Sequence, residues 1–472
     1  MIKKTHPDEI ALYLRDASNF SDGSAEMVII PDSVEELSFF LKMNRQKIIV
    51  AGAGTGVTAG RIPYSGIIIS MERMNLIGCL KEGTIRVEAG VRLADLNDIL
   101  LGTGWFYPPN PTETLSFLGG NVATNASGPR SYKYGSTRRY ILEIGLTLPN
   151  GSYVNIKRGQ TVDAPLICSN GMAIEFPTIK YISPTTKNAS GYYIQPGMDW
   201  IDLLIGSDGT LGVVTDILLK LLPCPERFFS AILFFSEEEL CWHAVESIKN
   251  SQDPYIDPCA LEYFDSHCIS RLRNKYSNIP KSAKSALFLE QDIMNENQFD
   301  PSFEAWYEFL KKKKLLSDDS WFAESEKDIK KFYDFRHSIA LILNEENSRL
   351  GRVKIGTDFA VPNEKFNDMM KFYQNTLTEG GLDYAVFGHI GDNHLHINLL
   401  PDEDQSDQAI EIYQILVNQI LLWKGVVSAE HGIGKLKKKW FHRMVGKEAL
   451  EEMRSIKRAF DPSQILGTGN LF

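Results

Sequence analysis

The 472-residue chain has few cysteines, no long apolar run and no excess of basic charge. Its six cysteines include no CxxC pair, which excludes zinc ribbons, thioredoxin-type redox centres and an iron–sulfur cluster held by this chain. No stretch approaches the roughly 18 consecutive apolar residues of a membrane span, and the N-terminus lacks the apolar segment of a signal peptide. We therefore expect a reduced, cytoplasmic protein, and association with a membrane surface stays open.

The balance of charge argues against a nucleic-acid partner. Asp and Glu number 60 and Lys and Arg number 50, giving a formal net charge of -10. Phosphate backbones are instead bound by clustered lysine and arginine. The densest basic run, residues 311–314, is typical of a solvated helix face.

The order of apolar and turn-forming segments predicts an α+β protein. In the first half, short β-branched runs such as MVII, KIIVAGAG and GIIISM alternate with glycine, proline and amphipathic helical stretches. The pattern breaks near residue 222, and a second series of strands and helices follows. Because 472 residues exceed what one hydrophobic core usually spans, we predict three parts: residues 1–222, residues 223–425 and a tail of residues 426–472.

Three stretches of small residues in the first part predict a site for an extended, planar ligand. They are residues 51–60, 117–128 and 205–215, and the first of them follows the strand-like KIIV. Glycine permits a positive φ and lets backbone amides crowd around an anion, so this stretch suits a pyrophosphate. The triplet RIP interrupts it at residue 61, before any long helix, and this disfavours a Rossmann unit.

The stretch FGHIGDNHLHINLL holds three of the nine histidines of the chain. Side chains of a strand alternate between two faces, so His394, His396 and Asn398 point one way while the apolar residues between them face a core. Residues 391–393 are a turn signal that folds the chain back and brings His389 beside the polar face. The sequence therefore predicts a hairpin with imidazole and amide groups collected on one side.

This hairpin suits a catalytic metal site, which usually combines three histidine or carboxylate ligands with an open coordination position. His389, His396 and Glu430 would supply that set if SAEHGIGK folded back against the hairpin, and His431 would then lie beside the metal as a base. Such ligands serve zinc, manganese or iron, of which we expect zinc or manganese. Arg336 offers a fork of donors that suits a planar substrate carboxylate.

These segments, in this order, resemble the FAD-linked oxidases of the vanillyl-alcohol oxidase and para-cresol methylhydroxylase superfamily. The resemblance rests on AGAGTG, PTETLSFLGGNVATNASGP, KNASGYY, IGSDGTLGVVTDILL, the histidine hairpin and SAEHGIG. It points to the D-2-hydroxyacid dehydrogenases, which include D-lactate dehydrogenases, glycolate oxidase FAD subunits and D-2-hydroxyglutarate dehydrogenases. It implies a two-part FAD-binding domain over residues 1–222, a ferredoxin-like substrate and metal-binding cap domain over 223–425, and a short helical segment over 426–472 near the flavin.

The resemblance also implies which residues contact FAD. The pyrophosphate would be wrapped by Ala53, Gly54, Thr55, Gly56 and Val57. The ribityl chain and the flavin would be followed by Pro111, Thr112, Gly119, Gly120, Ala123, Asn125 and Gly128. The adenine side would be lined by Gly209, Gly212 and Val214. Because the first loop has no histidine or cysteine, FAD is expected to be bound noncovalently. Asp208 stands where the family usually has glutamate.

The same resemblance implies roles in chemistry. His389, His396 and Glu430 would be the metal ligands, and His431 would be the catalytic base. The implied substrate-binding residues are Arg336, Lys354, Asn398 and His394. His394 replaces the family's usual asparagine, which leaves open a substrate contact, support of a metal ligand or competition for the metal.

The expected reaction is a FAD-dependent, metal-assisted oxidation of a D-2-hydroxy acid, of the lactate, glycolate or 2-hydroxyglutarate class. A hydride would pass to flavin N5, giving the 2-oxo acid, and the electrons would go on to a quinone, an electron-transfer flavoprotein or a cytochrome. Two alternatives stay open: a flavoenzyme like alkyl-dihydroxyacetonephosphate synthase, or a noncatalytic flavin- or metal-binding subunit. The sequence also leaves the oligomeric state open, a homodimer included.

Overall fold

The computed structural model describes residues 1–323 and 325–472. Its first sheet is built from short, almost continuously apolar strands, as expected where strands run parallel and both faces are covered. In spatial order the strands are Ile2–Lys4, Met27–Ile30, Ile67–Ser70 and Ile48–Ala51. The last three run parallel, and the first joins them antiparallel. The first glycine-rich stretch therefore leaves the sheet from an edge strand.

The second sheet is antiparallel and one-sided. Its strands, in spatial order, are Thr84–Glu88, Val213–Lys220, Ile141–Thr147 and Tyr153–Lys157. Val213–Lys220 alternates buried and less buried residues along its length, which is the pattern of a strand with one face on a core. Two short ladders flank it: Leu166–Ile167 with Ala173–Ile174, and Trp105–Phe106 with Leu222–Pro223.

The third sheet carries the histidine hairpin. Its eight strands are Trp321–Phe322, Arg227–Phe235, Ser285–Ile293, Ala260–Phe264, Tyr384–Gly388, His394–Leu399, Ile355–Gly356 and Phe359–Ala360. All of their pairings are antiparallel. Both faces are covered: Phe234 packs with Phe335 in one cluster, whereas Leu233 packs with Val245 in another. This explains why the long central strands are buried on both sides rather than alternating.

Helices connect and cover the sheets. The α-helices are Pro7–Ala11, Val34–Met43, Leu93–Leu100, Leu118–Thr124, Ser131–Tyr134, Trp200–Leu204, Glu238–Lys249, Ser266–Leu272, Phe299–Lys312, Glu326–Leu350, Phe366–Gly380, Ser406–Leu422 and Lys438–Phe460. Single 3-10 turns span Thr137–Tyr140, Glu296–Gln298, Asn363–Lys365, Ile390–Asp392 and Glu403–Gln405. Ser33 caps the helix Val34–Met43, because its side chain accepts from Glu36 N. Among the described residues, no helix is long and apolar enough to cross a membrane.

The α+β class predicted from the sequence is confirmed. Strands of the first two sheets come from residues before 224, and strands of the third begin at Arg227. The tail returns to the first sheet, where Ile48 N donates to Ile465 O and Gly467 N donates to Ile48 O. The domain boundaries 1–222, 223–425 and 426–472 stay predictions.

Candidate active site

The three stretches of small residues meet in one cleft. The first follows the strand Ile48–Ala51, the second forms the helix Leu118–Thr124, and the third leads into Val213–Lys220. Together they bound a space of about 1090 Å³, including its open mouth. A Cβ on Gly120 would meet no atom within 4 Å, so this glycine faces open space rather than a packed neighbour.

Most of the residues predicted to contact FAD line this cleft. They are Ala53, Gly54, Thr55, Gly56, Gly119, Gly120, Ala123, Gly209, Gly212 and Val214. Five others lie elsewhere: Val57 is 39% exposed at the surface, and Pro111, Thr112, Asn125 and Gly128 lie outside the lining. Asn125 ends the helix Leu118–Thr124 in a left-handed conformation with φ of 51°, and its Oδ1 accepts from Arg138 N.

One cation of the cleft lacks a carboxylate partner. Arg61 Nη1 donates to Gly52 O over 3.0 Å, but among the described residues Arg61 forms no ion pair and its buried Nε has no hydrogen-bond partner. An unpaired guanidinium beside crowded backbone amides fits an anionic pyrophosphate. The sequence reading treated Arg61 only as the end of the glycine loop.

The histidine hairpin forms as predicted, from strands Tyr384–Gly388 and His394–Leu399. Asn393 closes the turn with φ of 53°, a conformation that asparagine tolerates better than most residues. Lys249 Nζ donates to Asn393 Oδ1 over 2.7 Å, which fixes the turn from outside. The ring centroids of His389, His394 and His396 lie 4.6 to 5.6 Å apart.

Glu262 binds two of the predicted site residues. His389 Nδ1 donates to its Oε1 over 2.5 Å, and Arg336 Nε donates to its Oε2 over 3.0 Å. Burial would raise the pKa of Glu262, but the adjacent His389 and Arg336 lower it to about 2. The carboxylate therefore stays charged and fixes His389 with Nε2 facing Glu430, 3.2 Å away. Sequence reasoning missed Glu262, although a carboxylate inside the apolar ALEYF is a usable signal.

The two oxygens of Glu430 have different surroundings. Oε1 accepts from Ser127 Oγ over 2.6 Å and from Gly128 N over 2.8 Å, and it lies 2.6 Å from Lys187 Nζ. Oε2 faces His389. Burial opposes ionisation, but His389 and Lys187 hold the pKa of Glu430 well below its usual range. Glu430 is thus a charged carboxylate with one oxygen anchored and the other turned toward the imidazoles.

Asp358 folds SAEHGIGK back against the hairpin. Its buried Oδ2 accepts from Ser428 Oγ over 2.7 Å, from His431 N over 3.0 Å and from Lys437 Nζ over 2.6 Å. Burial opposes ionisation, but His431 and Lys437 hold the pKa of Asp358 well below its usual range. SAEHGIGK therefore lies against the hairpin, as the predicted metal site requires. Asp358 holds it there, and the sequence alone had suggested no role for this residue.

His431 joins the hairpin to the cleft. Its ring stacks on that of His396, with centroids 5.4 Å apart and planes 12° apart, and the same residue lines the cleft. Its side chain is 33% exposed, and its Nδ1 lies 3.3 Å from Asp358 Oδ2. Burial lowers the pKa of His431 to about 4, against the opposing effect of Asp358. The ring is therefore neutral at pH 7 and free to accept a proton.

Of the predicted substrate residues, Arg336 and Asn398 lie by the histidine cluster, whereas Lys354 does not. Arg336 is buried, tied to the cluster through Glu262, and its Nη1 lies 3.4 Å from Thr112 Oγ1. Asn398 is buried on the strand and face of His396. Lys354 is exposed, and its Nζ donates to Asn344 Oδ1 over 2.9 Å.

The donor set fits a divalent metal. His389, His394, His396 and Glu430 each offer a ligand atom, and these atoms lie within 4.8 Å of one another. Burial lowers the pKa of His396 to about 3 and that of His394 to about 4, with help from neighbouring imidazoles, so both rings present lone pairs. His389 lies between the carboxylates of Glu262 and Glu430, which favour positive charge at this point.

Two family models and several known proteins are similar to this chain. A family model described as FAD linked oxidases, C-terminal domain, matches residues 225–471, and a FAD binding domain model matches residues 25–157. The glycolate oxidase subunit GlcD of Bacillus subtilis is 28% identical over 98% of this chain and 92% of its own length. A D-lactate dehydrogenase of Anaerostipes hadrus is 27% identical over 99% of this chain and 92% of its own length.

Solved structures share the fold. A 4-ethylphenol oxidase from Gulosibacter chungangensis superposes with a TM-score of 0.71 at 14% identity, covering 99% of this chain and 94% of its own. An alkyldihydroxyacetonephosphate synthase does so with a TM-score of 0.69 at 16% identity, covering 98% and 81%. The resemblance and the fold type predicted from the sequence are therefore confirmed. The C-terminal family model alone covers more than half of the chain, which belongs to the FAD-linked oxidase family and is a FAD-dependent oxidoreductase.

Proposed function

We propose that this chain oxidises a short D-2-hydroxy acid to the corresponding 2-oxo acid. The observation that carries the proposal is the position of His431, which lines the glycine-rich cleft and stacks on His396 of the imidazole cluster. A neutral base therefore lies between a site suited to FAD and a site suited to a metal. The names of the relatives, a glycolate oxidase subunit and a D-lactate dehydrogenase, agree with this class of substrate.

The two bound groups would divide the chemistry. FAD, held noncovalently in the cleft, would supply the two-electron acceptor, and a divalent metal held by His389, His396 and Glu430 would supply a Lewis acid that lowers the pKa of the substrate hydroxyl. The residues of the chain orient both and move the proton.

His431 would take the hydroxyl proton. Because Asp358 faces Nδ1, Nε2 is the nitrogen left for substrate, and the carboxylate stabilises the imidazolium that forms. Asp358 itself stays deprotonated, because Lys437 and Ser428 also donate hydrogen bonds to it. His431 is the general base, and Asp358 is its orienting partner.

Arg336 would bind the substrate carboxylate. Its Nε donates to Glu262. Among the described residues Nη2 has no hydrogen-bond partner, so this nitrogen is available for the substrate carboxylate. A second carboxylate, as in 2-hydroxyglutarate, would need a further cation. Lys354 donates to Asn344 on the long helix. We therefore favour a monocarboxylic acid such as lactate or glycolate.

The test uses purified FAD-loaded protein under anaerobic conditions. D-Lactate, L-lactate, glycolate and D-2-hydroxyglutarate are added in turn, and bleaching of the flavin absorbance and release of 2-oxo acid are measured, before and after chelation. We expect bleaching by D-lactate or glycolate, coupled to a 2-oxo acid and abolished by the chelator. Absence of bleaching by every hydroxy acid would reject the proposal and leave the two alternatives, a flavoenzyme like alkyl-dihydroxyacetonephosphate synthase or a noncatalytic flavin- or metal-binding subunit.

A further inference from the structure

We propose that His394 is an additional ligand of the metal, so that three imidazoles and one carboxylate hold the ion. The inference rests on the proposed metal site and deepens it. It assigns to His394 a bond to the metal in place of the contact with substrate that the sequence reading predicted for this residue.

The His394 ring is fully buried and lacks a complete set of hydrogen bonds. The residue is 0% exposed, and among the described residues its Nδ1 has no hydrogen-bond partner. A buried polar group without a partner costs free energy, so such a nitrogen normally has a ligand. The centroid of the ring lies 4.6 Å from that of His396 and 5.2 Å from that of His389. The nitrogen without a partner thus belongs to a ring of the cluster.

Each of the three rings has one nitrogen close to an acceptor of the chain. His389 Nδ1 donates to Glu262, and His396 Nδ1 lies 3.3 Å from Thr357 O. His394 Nε2 lies 2.9 Å from Asp358 Oδ1.

Metal-bound histidines characteristically give their other nitrogen to a carboxylate or a carbonyl, which fixes the tautomer. Applied to His394, this pattern protonates Nε2 toward Asp358 and leaves the lone pair of Nδ1 for the metal. Applied to His389 and His396, it leaves Nε2 of each ring.

His394 and His431 differ in the room around their side chains. A side chain with no exposed surface has no room for a water-sized neighbour, whereas His431 is 33% exposed and lines the cleft. A bare ion bonded directly to the nitrogen needs less room than a substrate does. His394 is therefore placed to touch the metal, and His431 to touch the substrate.

A fourth protein ligand would change the number of open coordination positions and the metal that the site binds best. Four protein ligands leave two positions of an octahedron, which is what a hydroxy acid needs to bind through its hydroxyl and one carboxylate oxygen. A third imidazole also shifts preference toward metals that favour nitrogen, such as zinc or iron, over manganese.

The experiment measures metal ligation directly. The FAD-loaded protein is freed of metal, loaded with Zn²⁺, and studied by X-ray absorption at the zinc edge, which counts bound imidazoles. Zn²⁺ affinity is measured by competition with a chelator in wild type, His394→Asn, His389→Asn, Glu430→Gln and the surface control His243→Asn. We expect three imidazoles in wild type, two in His394→Asn, and an affinity for Zn²⁺ at least about 10-fold lower in His394→Asn.

Each outcome is decisive. Because His431 also lies beside His396, three imidazoles in wild type support the inference without data from His394→Asn only if three are also counted in His431→Asn. Unchanged affinity in His243→Asn shows that the loss is local. Two imidazoles in wild type, with metal lost in His389→Asn and Glu430→Gln but not in His394→Asn, overturn the inference and leave the proposed function intact. Failure of wild type to bind Zn²⁺ would reject both metal proposals.

Discussion

Glu262→Gln tests how the cluster is held together. The substitution keeps the shape of the side chain but removes the charge that binds His389 Nδ1 and Arg336 Nε. It leaves Arg336, whose side chain is 8% exposed, buried without its carboxylate. It also replaces one of the two acceptor oxygens with an amide NH2, so the side chain can no longer accept from both His389 and Arg336, and the charged acceptor that fixes the tautomer of His389 is lost. Two separate losses follow, one of stability and one of metal affinity.

The expected losses of stability and metal affinity in Glu262→Gln can be estimated from the burial of the Glu262–Arg336 ion pair and from the contact of Glu262 with His389. Breaking a buried ion pair by removing one partner costs roughly 3–5 kcal/mol, because a charge is left uncompensated. With an m-value of about 3 kcal/mol per M, the urea midpoint should fall by roughly 1 M or more. Loss of the acceptor behind a metal-binding histidine should lower metal affinity by about 10–100-fold.

Glu290→Gln is the matched control. Glu290 is equally buried, lies on the neighbouring strand Ser285–Ile293, and forms a bidentate pair with Arg130 at 2.6 and 3.2 Å. Its loss should lower the urea midpoint by a similar amount and leave metal affinity unchanged. If Glu262→Gln retains wild-type metal affinity while losing stability like the control, the account of His389 orientation is wrong.

Three further predictions concern the base, the flavin and pH. His431→Asn should keep FAD and metal but lower the rate of flavin reduction by about 100- to 10,000-fold, measured by stopped flow; a near-normal rate would remove it as the base. Acid precipitation should leave the flavin in the supernatant, because FAD is expected to be bound noncovalently; colour in the pellet would refute this. The hydrogen bond to Asp383 raises the pKa of His267, so this pair stabilises the fold below the ordinary histidine pKa, and the stabilisation is lost as pH rises through the folded value. The difference in urea midpoint between wild type and His267→Gln should therefore be larger at pH 5.5 than at pH 8.5, and an equal difference would exclude the charged pair.

Local patterns in the sequence predicted the histidine hairpin. The alternation through HLHIN and the turn at residues 391–393 depend only on neighbours in sequence, and the structure forms them. The long helix runs over Glu326–Leu350, since Ser325 caps its start and Gly351 ends it in a left-handed conformation.

The supporting residues of the site escaped the sequence because their partners are distant along the chain. Glu262 binds His389 across 127 positions, and Ser127 binds Glu430 across 303. No periodicity encodes such pairs. The usable signal is a carboxylate inside an apolar strand, as in ALEYF or TDFAV, because a buried charge requires a partner.

The most direct test of the account is anomalous diffraction at the metal edge, from crystals of the FAD- and metal-loaded protein. We predict one strong peak about 2.0–2.2 Å from nitrogens of His389 and His396 and from Glu430 Oε2, with the flavin in the cleft on the far side of His431. A metal bound elsewhere, or a flavin remote from His431, would contradict it.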